Sequence, residues 1–294
     1  MNIQDVFAEY KQLTETRMKE LLPSTEVYPG VIHDAMAYSL FAGGKRFRPT
    51  LCLAGCEAVG GKNEDCLDAA CALECIHTYS LIHDDLPGMD DDDYRRGKLT
   101  NHKVYGVGMA ILAGDALLTI AFELLAKMAN GQNEKQLLQV IQEIAAASGT
   151  LGMIGGQVVD IKSENTEPTE ELLKYIHTHK TGALITASVR VGGILGGATA
   201  EELQQLTIYG EKLGLAFQIT DDILDVVGDE AKLGKPVGSD EKNHKATYPA
   251  LFGLEQSRIM AKQAVDDAIN AIDCFGEKAI KLKLLAQYLI SRDV

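Results

Sequence analysis

Aspartates are concentrated in one short stretch of the sequence, at positions 84, 85, 90, 91, 92 and 93. The preceding residues, 72–82, are largely apolar and predict a buried helix, so the first two aspartates lie at the end of a core element. Buried carboxylates without counter-charge are costly, and a divalent cation that prefers hard oxygen ligands, above all Mg²⁺, would neutralise them. A solvated acidic loop is the alternative interpretation, because most acidic runs are of that kind.

The spacing of this first group is not that of a regular helix. Asp84 and Asp90 are about 600° apart on an ideal helix, and Pro87 lacks the N–H that a helix interior needs. The helix is therefore expected to bend or end here. Only a turn around Gly88 would bring Asp90 back beside Asp84.

A second group of aspartates occurs at residues 217–225, in the order Phe-Gln-Ile-Thr-Asp-Asp-Ile-Leu-Asp. In a helix, Asp221 and Asp225 are about 400° apart and so lie within about 40° of the same face, with Asp222 beside them. The flanking residues are apolar, which is unusual for a solvated face. The sequence thus predicts a second carboxylate face on an otherwise buried helix.

Basic residues beside glycines and at predicted helix ends could complete an anion site. Two acidic groups that hold Mg²⁺ ions would suit a diphosphate, whose charge the ions would bridge, and arginine is well suited to bidentate phosphate binding. For any one of these residues, a solubilising surface charge is the alternative. The basic sets are Lys45-Arg46-Phe47-Arg48, Arg95-Arg96, His179-Lys180 and Lys235.

Composition limits the possible classes of function. The 294 residues carry a formal net charge of −14, which argues against a nucleic-acid partner because no basic stripe is available to neutralise phosphates. The six cysteines lack zinc-site spacing and are expected to be small buried hydrophobes. The first residues lack the features of a signal peptide, and the apolar stretch 109–129 contains Asp115, Glu123 and Lys127. We therefore expect a cytoplasmic protein without a membrane span.

Apolar residues recur at intervals of three and four almost throughout, whereas two-residue alternation is nearly absent. This pattern predicts an all-α protein in which residues 1–294 form one domain, a single large helical bundle around a central cavity. The small residues at 192–197 are interpreted as a packing surface. The predicted helices cover residues 2–21, 31–42, 50–59, 63–86, 109–129, 134–148, 169–191 and 200–227, with two or three more after 247 and a glycine-broken segment through 155–156.

The order and spacing of the motifs resemble those of the trans-isoprenyl diphosphate synthases, and most of all the bacterial short-chain farnesyl diphosphate synthases. The resemblance runs along essentially the whole chain. It implies an isoprenoid synthase fold and a homodimer that condenses isopentenyl diphosphate head-to-tail with dimethylallyl and geranyl diphosphate in isoprenoid biosynthesis. The motifs that carry it are Gly-Gly-Lys-Arg-Phe-Arg-Pro at 43–49, Asp-Asp-x4-Asp at 84–90 followed by Arg-Arg, Lys-Thr at 180–181, and Phe-Gln-x-x-Asp-Asp-x-x-Asp at 217–225.

The resemblance also implies roles for individual residues. The ligands of three Mg²⁺ ions would be Asp84, Asp85, Asp90, Asp221, Asp222 and Asp225. The residues that bind the allylic diphosphate would be Arg95, Lys180, Thr181, Gln218 and Lys235, and those that bind isopentenyl diphosphate would be Lys45, Arg48, His77 and Arg96. Direct parts in catalysis would fall to Asp84, Asp85, Asp90, Lys180, Thr181, Asp221 and Asp222. For His77, a core position without a ligand is the alternative, because a histidine on an apolar helix is usually of that kind.

Two residues before the first aspartate are expected to set the chain length of the product. Tyr79 and Ser80 lie five and four residues before Asp84, a little over one helical turn deeper, where they would form the floor of an apolar tunnel. An aromatic ring there would stop elongation at fifteen carbons, which predicts a farnesyl product. A twenty-carbon geranylgeranyl product, and a merely structural role for Tyr79, are the alternatives.

Three other functions are less compatible with the sequence. A terpene cyclase would need no second basic site, and its second metal motif would mix Asn, Ser or Thr with Glu. A metal-dependent phosphohydrolase, suggested by the His83-Asp84 pair, would need further histidine ligands. A non-catalytic partner of a prenyl synthase would have lost one aspartate group, and both are intact.

Overall fold

In the computed structural model of the protein, the described residues are 2–130, 133–163, 169–227 and 247–291. The chain is 81% helical with almost no strand, so the predicted all-α class is confirmed. The helices are α1 (Ile3–Leu21), α2 (Gly30–Leu40), α3 (Phe47–Ala58), α4 (Asn63–Asp84), α5 (Asn101–Tyr105), α6 (Val107–Lys127), α7 (Glu134–Ser148), α8 (Met153–Ser163), α9 (Glu170–Ile176), α10 (Ala183–Leu195), α11 (Ala200–Val227), α12 (Tyr248–Phe252), α13 (Leu254–Ala271) and α14 (Ile280–Ser291).

Three shorter features complete the described chain. A π-helical turn, His177–Gly182, joins α9 to α10, and 3₁₀ turns occur at Met128–Asn130 and Asp273–Ala279. Strands β1 (Tyr94–Arg95) and β2 (Lys98–Leu99) form a small antiparallel hairpin with Tyr94 opposite Leu99. The hairpin follows the acidic run and carries the two arginines next to it.

Helix α4 lies at the centre of the hydrophobic core. Most of its residues between Cys66 and Ile82 are buried, and it packs against α3 and α6. Helix α10 packs closely on α3, because a Cβ at Gly192 would lie only 1.9 Å from the carbonyl oxygen of Cys52. The predicted packing role of the small residues at 192–197 agrees with this contact. Five cysteines are buried and Cys274 is exposed, all as free thiols.

The structure differs from the predicted helices in several places. Helix α5 lies where no helix was predicted. Helix α3 begins two residues before Pro49, because proline is tolerated in the first turn of a helix. Helix α8 continues through Gly155 and Gly156, where a break was predicted. The helix predicted at 169–191 is interrupted by the π-helical turn, a feature that occurs frequently at functional sites.

Two segments of the described chain are long and apolar enough to cross a membrane by length and composition, Val107–Lys127 and Glu134–Ser163. In an apolar 18-residue window of each segment, 44% of the residues of the first and 33% of those of the second are buried inside the protein. The second segment also includes the end of α7 at Ser148 and the start of α8 at Met153. Because core helices of soluble proteins pass the same test, these segments do not establish a membrane span.

Candidate active site

A cavity of about 1130 Å³ opens among α3, α4, α6, α8, α11, α14 and the π-helical turn. It exceeds the roughly 300–1,000 Å³ of typical small-molecule sites, so it has room for two substrates. The structure brings together in its wall many of the residues singled out in the sequence: Lys45, Arg48, His77, Tyr79, Ser80, Asp84, Arg96, Lys180, Thr181, Gln218 and Asp221. The remaining predicted residues are Asp85, Asp90, Arg95, Asp222 and Asp225, which lie outside this lining, and Lys235, which falls outside the described residues.

The end of α4 turns back on itself beside the cavity. The backbone N–H of Asp90 donates to the carbonyl oxygen of Asp84 at 2.9 Å, and Gly88 adopts a φ of 96° in the intervening turn. A positive φ is readily available only to glycine. A turn around Gly88, which the sequence allowed but did not require, is therefore present, and it brings the Asp90 backbone back to Asp84.

The two adjacent aspartates at the end of α4 have different surroundings. Asp84 lines the cavity, and its pKa is raised to about 6, chiefly by burial, with an opposing effect from Lys180 and a further rise from Asp90. Asp85 is buried, and its Oδ1 accepts a hydrogen bond from Nε of Arg95 at 2.7 Å and lies 2.6 Å from Nη2 of the same guanidinium. Burial raises the pKa of Asp85 and Arg95 opposes the rise. Asp84 is thus the carboxylate that faces the cavity, whereas Asp85 fixes the hairpin arginine.

Helix α11 divides its aspartates in the same way. Asp221 lines the cavity, and Asp222 and Asp225 are buried. One carboxylate oxygen of Asp222 accepts the backbone N–H of Tyr248 at 2.9 Å and lies 3.9 Å from Nε2 of His177. Burial lowers the pKa of His177 to about 4, so the imidazole is neutral near pH 7. Asp222 therefore links α11 to α12 and to the π-helical turn.

The basic end of the cavity contains the predicted residues of the second diphosphate site. Burial lowers the pKa of Arg48 to about 10, with Arg96 adding to the effect and Glu74 opposing it, so the guanidinium stays charged. Among the described residues, the buried Nε of Arg48 has no hydrogen-bond partner. Burial, reinforced by Arg48 and Arg96, also lowers the pKa of His77 well below its usual range. A cationic pocket with a neutral imidazole and a donor in need of an acceptor suits a phosphate oxygen.

The glycine pair before Lys45 makes room for Arg96. Gly44 has a φ of 107°, and a Cβ there would lie 2.5 Å from the guanidinium carbon of Arg96. One guanidinium N–H of Arg96 donates to the carbonyl oxygen of Gly43. Gly44 therefore permits a close approach that places the Arg96 guanidinium in the cavity wall.

Three residues of the site were missed by the sequence analysis. Glu74 is buried in the cavity wall and accepts a hydrogen bond from Arg46 at 2.8 Å. Asp160 on α8 accepts one from Lys180 at 2.5 Å. The Tyr288 hydroxyl accepts one from Lys45, whose ammonium also lies 4.8 Å from the Tyr288 ring centroid. Glu74 and Asp160 could have been found as single acidic residues among apolar neighbours on a helix. Nothing in the sequence pointed to Tyr288.

The donor set fits a metal ion that is only partly held by protein. Within the described ranges, no group of three or more His, Cys, Asp or Glu side chains is close enough to hold an ion by itself. Asp84 and Asp221 nevertheless face one cavity from two helices, and burial disfavours the ionised form of Asp84. Mg²⁺ is commonly bound by one or two carboxylates together with water and substrate phosphate oxygens. Such an ion would supply positive charge between the carboxylates and a diphosphate.

Comparisons with known proteins agree with this arrangement. The sequence profile of the polyprenyl synthetase family matches residues 29–283. The farnesyl diphosphate synthase of Geobacillus stearothermophilus is 50% identical over 255 residues, which cover 86% of each chain. The geranylgeranyl diphosphate synthase of Cyanophora paradoxa is 46% identical over 293 residues, covering 99% of this chain and 97% of that protein.

A solved structure extends the likeness to three dimensions. The crystal structure of an FPP/GFPP synthase from Zymomonas mobilis superimposes with a TM-score of 0.88 at 37% identity, over 98% of both chains. The family uses divalent metal to bind diphosphate. The chain therefore belongs to the polyprenyl synthetase family and is a short-chain trans-prenyl diphosphate synthase, a prenyltransferase of isoprenoid biosynthesis.

Proposed function

We propose that the protein is a farnesyl diphosphate synthase, which adds isopentenyl diphosphate first to dimethylallyl and then to geranyl diphosphate. The observation that carries this proposal is Tyr79. Its side chain lines the cavity about one helical turn below Asp84, is only 6% exposed, and stacks edge-on against His83 with ring centroids 5.7 Å apart. A bulky ring at this depth is suited to limiting the length of the prenyl tail.

The acidic end of the cavity would bind the allylic substrate. Asp84 and Asp221 would hold Mg²⁺, three ions according to the family resemblance, which supplies charge neutralisation for the leaving diphosphate. Lys180 would donate to the diphosphate oxygens, and the oxygen dipoles of Thr181 and Gln218 would face the developing cation. The roles of Asp85, Asp90, Asp222 and Asp225 in metal binding, and of Arg95 and Lys235 in binding the allylic diphosphate, stay predictions.

The basic end would bind isopentenyl diphosphate. Arg48 and Arg96 would supply bidentate donors and Lys45 a point charge, while neutral His77 would donate one N–H. This division would give each diphosphate its own set of side chains in one cavity. The carbon chains would then meet between them.

In the reaction, the carbon–oxygen bond of the allylic diphosphate breaks and the diphosphate takes the electron pair. The double bond of isopentenyl diphosphate attacks the resulting allylic cation and forms the new carbon–carbon bond. The departed diphosphate accepts the proton that is then lost, so no separate base is required. Lys180 stabilises the charge that develops on this leaving group, and the apolar wall excludes water that would trap the cation.

Part of the cavity lining is suited to a prenyl tail. Besides Tyr79, the apolar residues of the wall include Leu118, Met153 and Ile154. The hydroxyl of Tyr79 is buried without a hydrogen-bond partner among the described residues, and burial raises its pKa to about 12. The ring therefore presents an uncharged surface to the end of the tail.

The second candidate is a geranylgeranyl diphosphate synthase, because relatives of similar identity have both names. The product of the purified enzyme decides between them. Dimethylallyl and isopentenyl diphosphates would be incubated with Mg²⁺, and the dephosphorylated alcohols identified by mass spectrometry. We expect the fifteen-carbon alcohol; a twenty-carbon alcohol would favour the second candidate, and absence of condensation would overturn both.

Two variants of Tyr79 sharpen this test. Tyr79→Ala should shift the product to twenty carbons or longer, because the obstruction is removed. Tyr79→Phe keeps the ring and removes only the unpartnered hydroxyl, so its product should match that of the wild type. An unchanged product in Tyr79→Ala would refute the role of Tyr79 in chain length.

We further propose a homodimer in the cytoplasm. Helix α6 leaves a row of apolar side chains exposed, among them Val107, Ile111 and Leu112, the last of them 55% exposed. Single exposed apolar residues are normal on a protein surface, whereas neighbouring ones indicate an interaction site. A second copy of the chain would cover this surface. Light scattering during size exclusion should give twice the chain mass, whereas a monomeric mass would contradict the proposal.

A further inference from the structure

Asp160 on α8 forms an ion pair with Lys180, one of the cations that line the central cavity. Its Oδ2 accepts a hydrogen bond from the Lys180 ammonium at 2.5 Å, and the two side chains are 16% and 24% exposed. Asp160 does not line the cavity, whereas Lys180 and its α8 neighbours Gln157 and Ile161 do. The ion pair therefore pulls the end of Lys180 towards α8.

The backbone of Lys180 is held from the same side. A Cβ at Gly156 would lie 2.2 Å from the backbone nitrogen of Lys180 and 2.7 Å from its Cα, so α8 and the π-helical turn are in direct backbone contact. Gly156 and Asp160 are four residues apart and share one face of α8. Gly156 therefore leaves space for the Lys180 backbone, and Asp160, one turn further along the same face, binds its ammonium.

Lys180 has a second negatively charged neighbour, Asp84. Both residues line the same cavity. Of the cations that oppose the raised pKa of Asp84, Lys180 has the largest effect, ahead of Arg95. If the ammonium were released from Asp160, Asp84 would be the carboxylate that competes for it.

We propose that Asp160 is a positioning residue that holds the Lys180 ammonium against α8 and prevents it from pairing with Asp84. Asp84 then stays available to a divalent metal, and Lys180 keeps N–H donors for a substrate diphosphate. The inference rests on the proposed function, because it assumes that Asp84 binds metal. It adds a residue that does not line the cavity and acts through Lys180.

Binding of Mn²⁺ to the substrate-free protein at pH 8, followed by the EPR signal of the free ion, tests this inference without catalysis. Asp160→Ala should weaken Mn²⁺ binding by about tenfold, as expected when a residue that orients the metal site is lost. Lys180→Ala should bind Mn²⁺ as tightly as the wild type or more tightly. The double variant should match Lys180→Ala, because without the lysine nothing is left for Asp160 to restrain.

Other results would overturn the inference. A double variant as weak as Asp160→Ala would mean that Asp160 acts on the fold rather than through Lys180. Unchanged Mn²⁺ binding in Asp160→Ala would remove the effect altogether. Asp160→Asn retains an oxygen acceptor for the ammonium, so it should lose less affinity than Asp160→Ala, and it gives the same test if the alanine variant does not fold.

A matched control removes a similar ion pair elsewhere. Lys212 and Asp267 pair at 2.8 Å with side chains 39% and 32% exposed, and neither lines the cavity. Asp267→Ala should bind Mn²⁺ like the wild type. If the wild-type protein condenses the substrates but binds no Mn²⁺, this inference is overturned and the proposed function is not. If Mn²⁺ binding follows the predicted pattern but no condensation occurs, the proposed function alone is overturned.

Discussion

The carboxyl group of Asp84 is expected to destabilise the metal-free protein at neutral pH. Burial raises its pKa from 3.8 to about 6, so the folded chain binds this proton more tightly than the unfolded chain does. The energetic cost is therefore absent below the lower pKa, grows as the pH rises between the two, and is complete above the higher one. At 1.36 kcal/mol per pKa unit, the difference corresponds to about 3 kcal/mol.

Asp84→Asn keeps the shape of the side chain and removes its charge. In the presence of a chelator at pH 8, this variant should unfold about 5 °C above the wild type, given the unfolding entropy of a chain of this size. The gain should shrink as the pH is lowered from 6 towards 4. Condensation activity should be lost at the same time, because the carboxylate is needed for metal.

Thermal unfolding followed by circular dichroism over this pH range is the assay. Asp91→Asn is the matched control, because Asp91 is exposed in the same acidic run and has a φ of 52°, which asparagine tolerates. It should change stability by less than about 0.5 kcal/mol. The reasoning is refuted if Asp84→Asn unfolds at or below the wild-type temperature at pH 8, or if its gain does not depend on pH.

Three further perturbations test other parts of the site. Gly44→Ala should displace the Arg96 guanidinium and raise the KM for isopentenyl diphosphate by about tenfold or more, with little effect on the KM for the allylic substrate. Gly43→Ala is the control for backbone strain, because Gly43 has a φ of 106° but a Cβ there would have no atom within 4 Å. Glu74→Gln should lower the free energy of unfolding by about 3 kcal/mol in urea titrations, because it removes one carboxylate from the buried Arg46 guanidinium; stability equal to that of the wild type would contradict the importance of this ion pair. Below pH 6, the Mg²⁺ concentration for half-maximal activity should rise about tenfold per pH unit, as the cavity-facing carboxyl of α4 becomes protonated; a flat profile from pH 5 to pH 8 would count against that carboxyl as a ligand.

Local sequence patterns predicted the helices and the aspartate groups. The period of three and four predicted α4 and α11, and Pro87 predicted that the helix bends or ends before Asp90. These features depend on residues close together in the sequence. They could be predicted because backbone geometry alone fixes them. Whether the chain then turns back to Asp84 was left open by the sequence.

Contacts between distant segments could not be predicted in the same way. From the sequence, Asp84 and Asp85 were given the same role as metal ligands. Only the fold shows that Arg95 pairs with Asp85 and not with Asp84. Asp222 likewise differs from Asp221 because α12 brings the N–H of Tyr248 to it. The π-helical turn also escaped detection, since its composition differs little from that of an α-helix, and with it the contact between Lys180 and Asp160.

The proposed function requires the two acidic groups, on α4 and α11, to bind one substrate diphosphate through divalent metal. The most direct measurement is the initial rate of condensation of dimethylallyl and labelled isopentenyl diphosphates, with and without Mg²⁺, in the wild type, Asp84→Asn and Asp221→Asn. The wild type should be active only with Mg²⁺, and each variant should lose more than about a hundredfold at saturating Mg²⁺. Metal-independent condensation, or a wild-type rate in either variant, would contradict the claim.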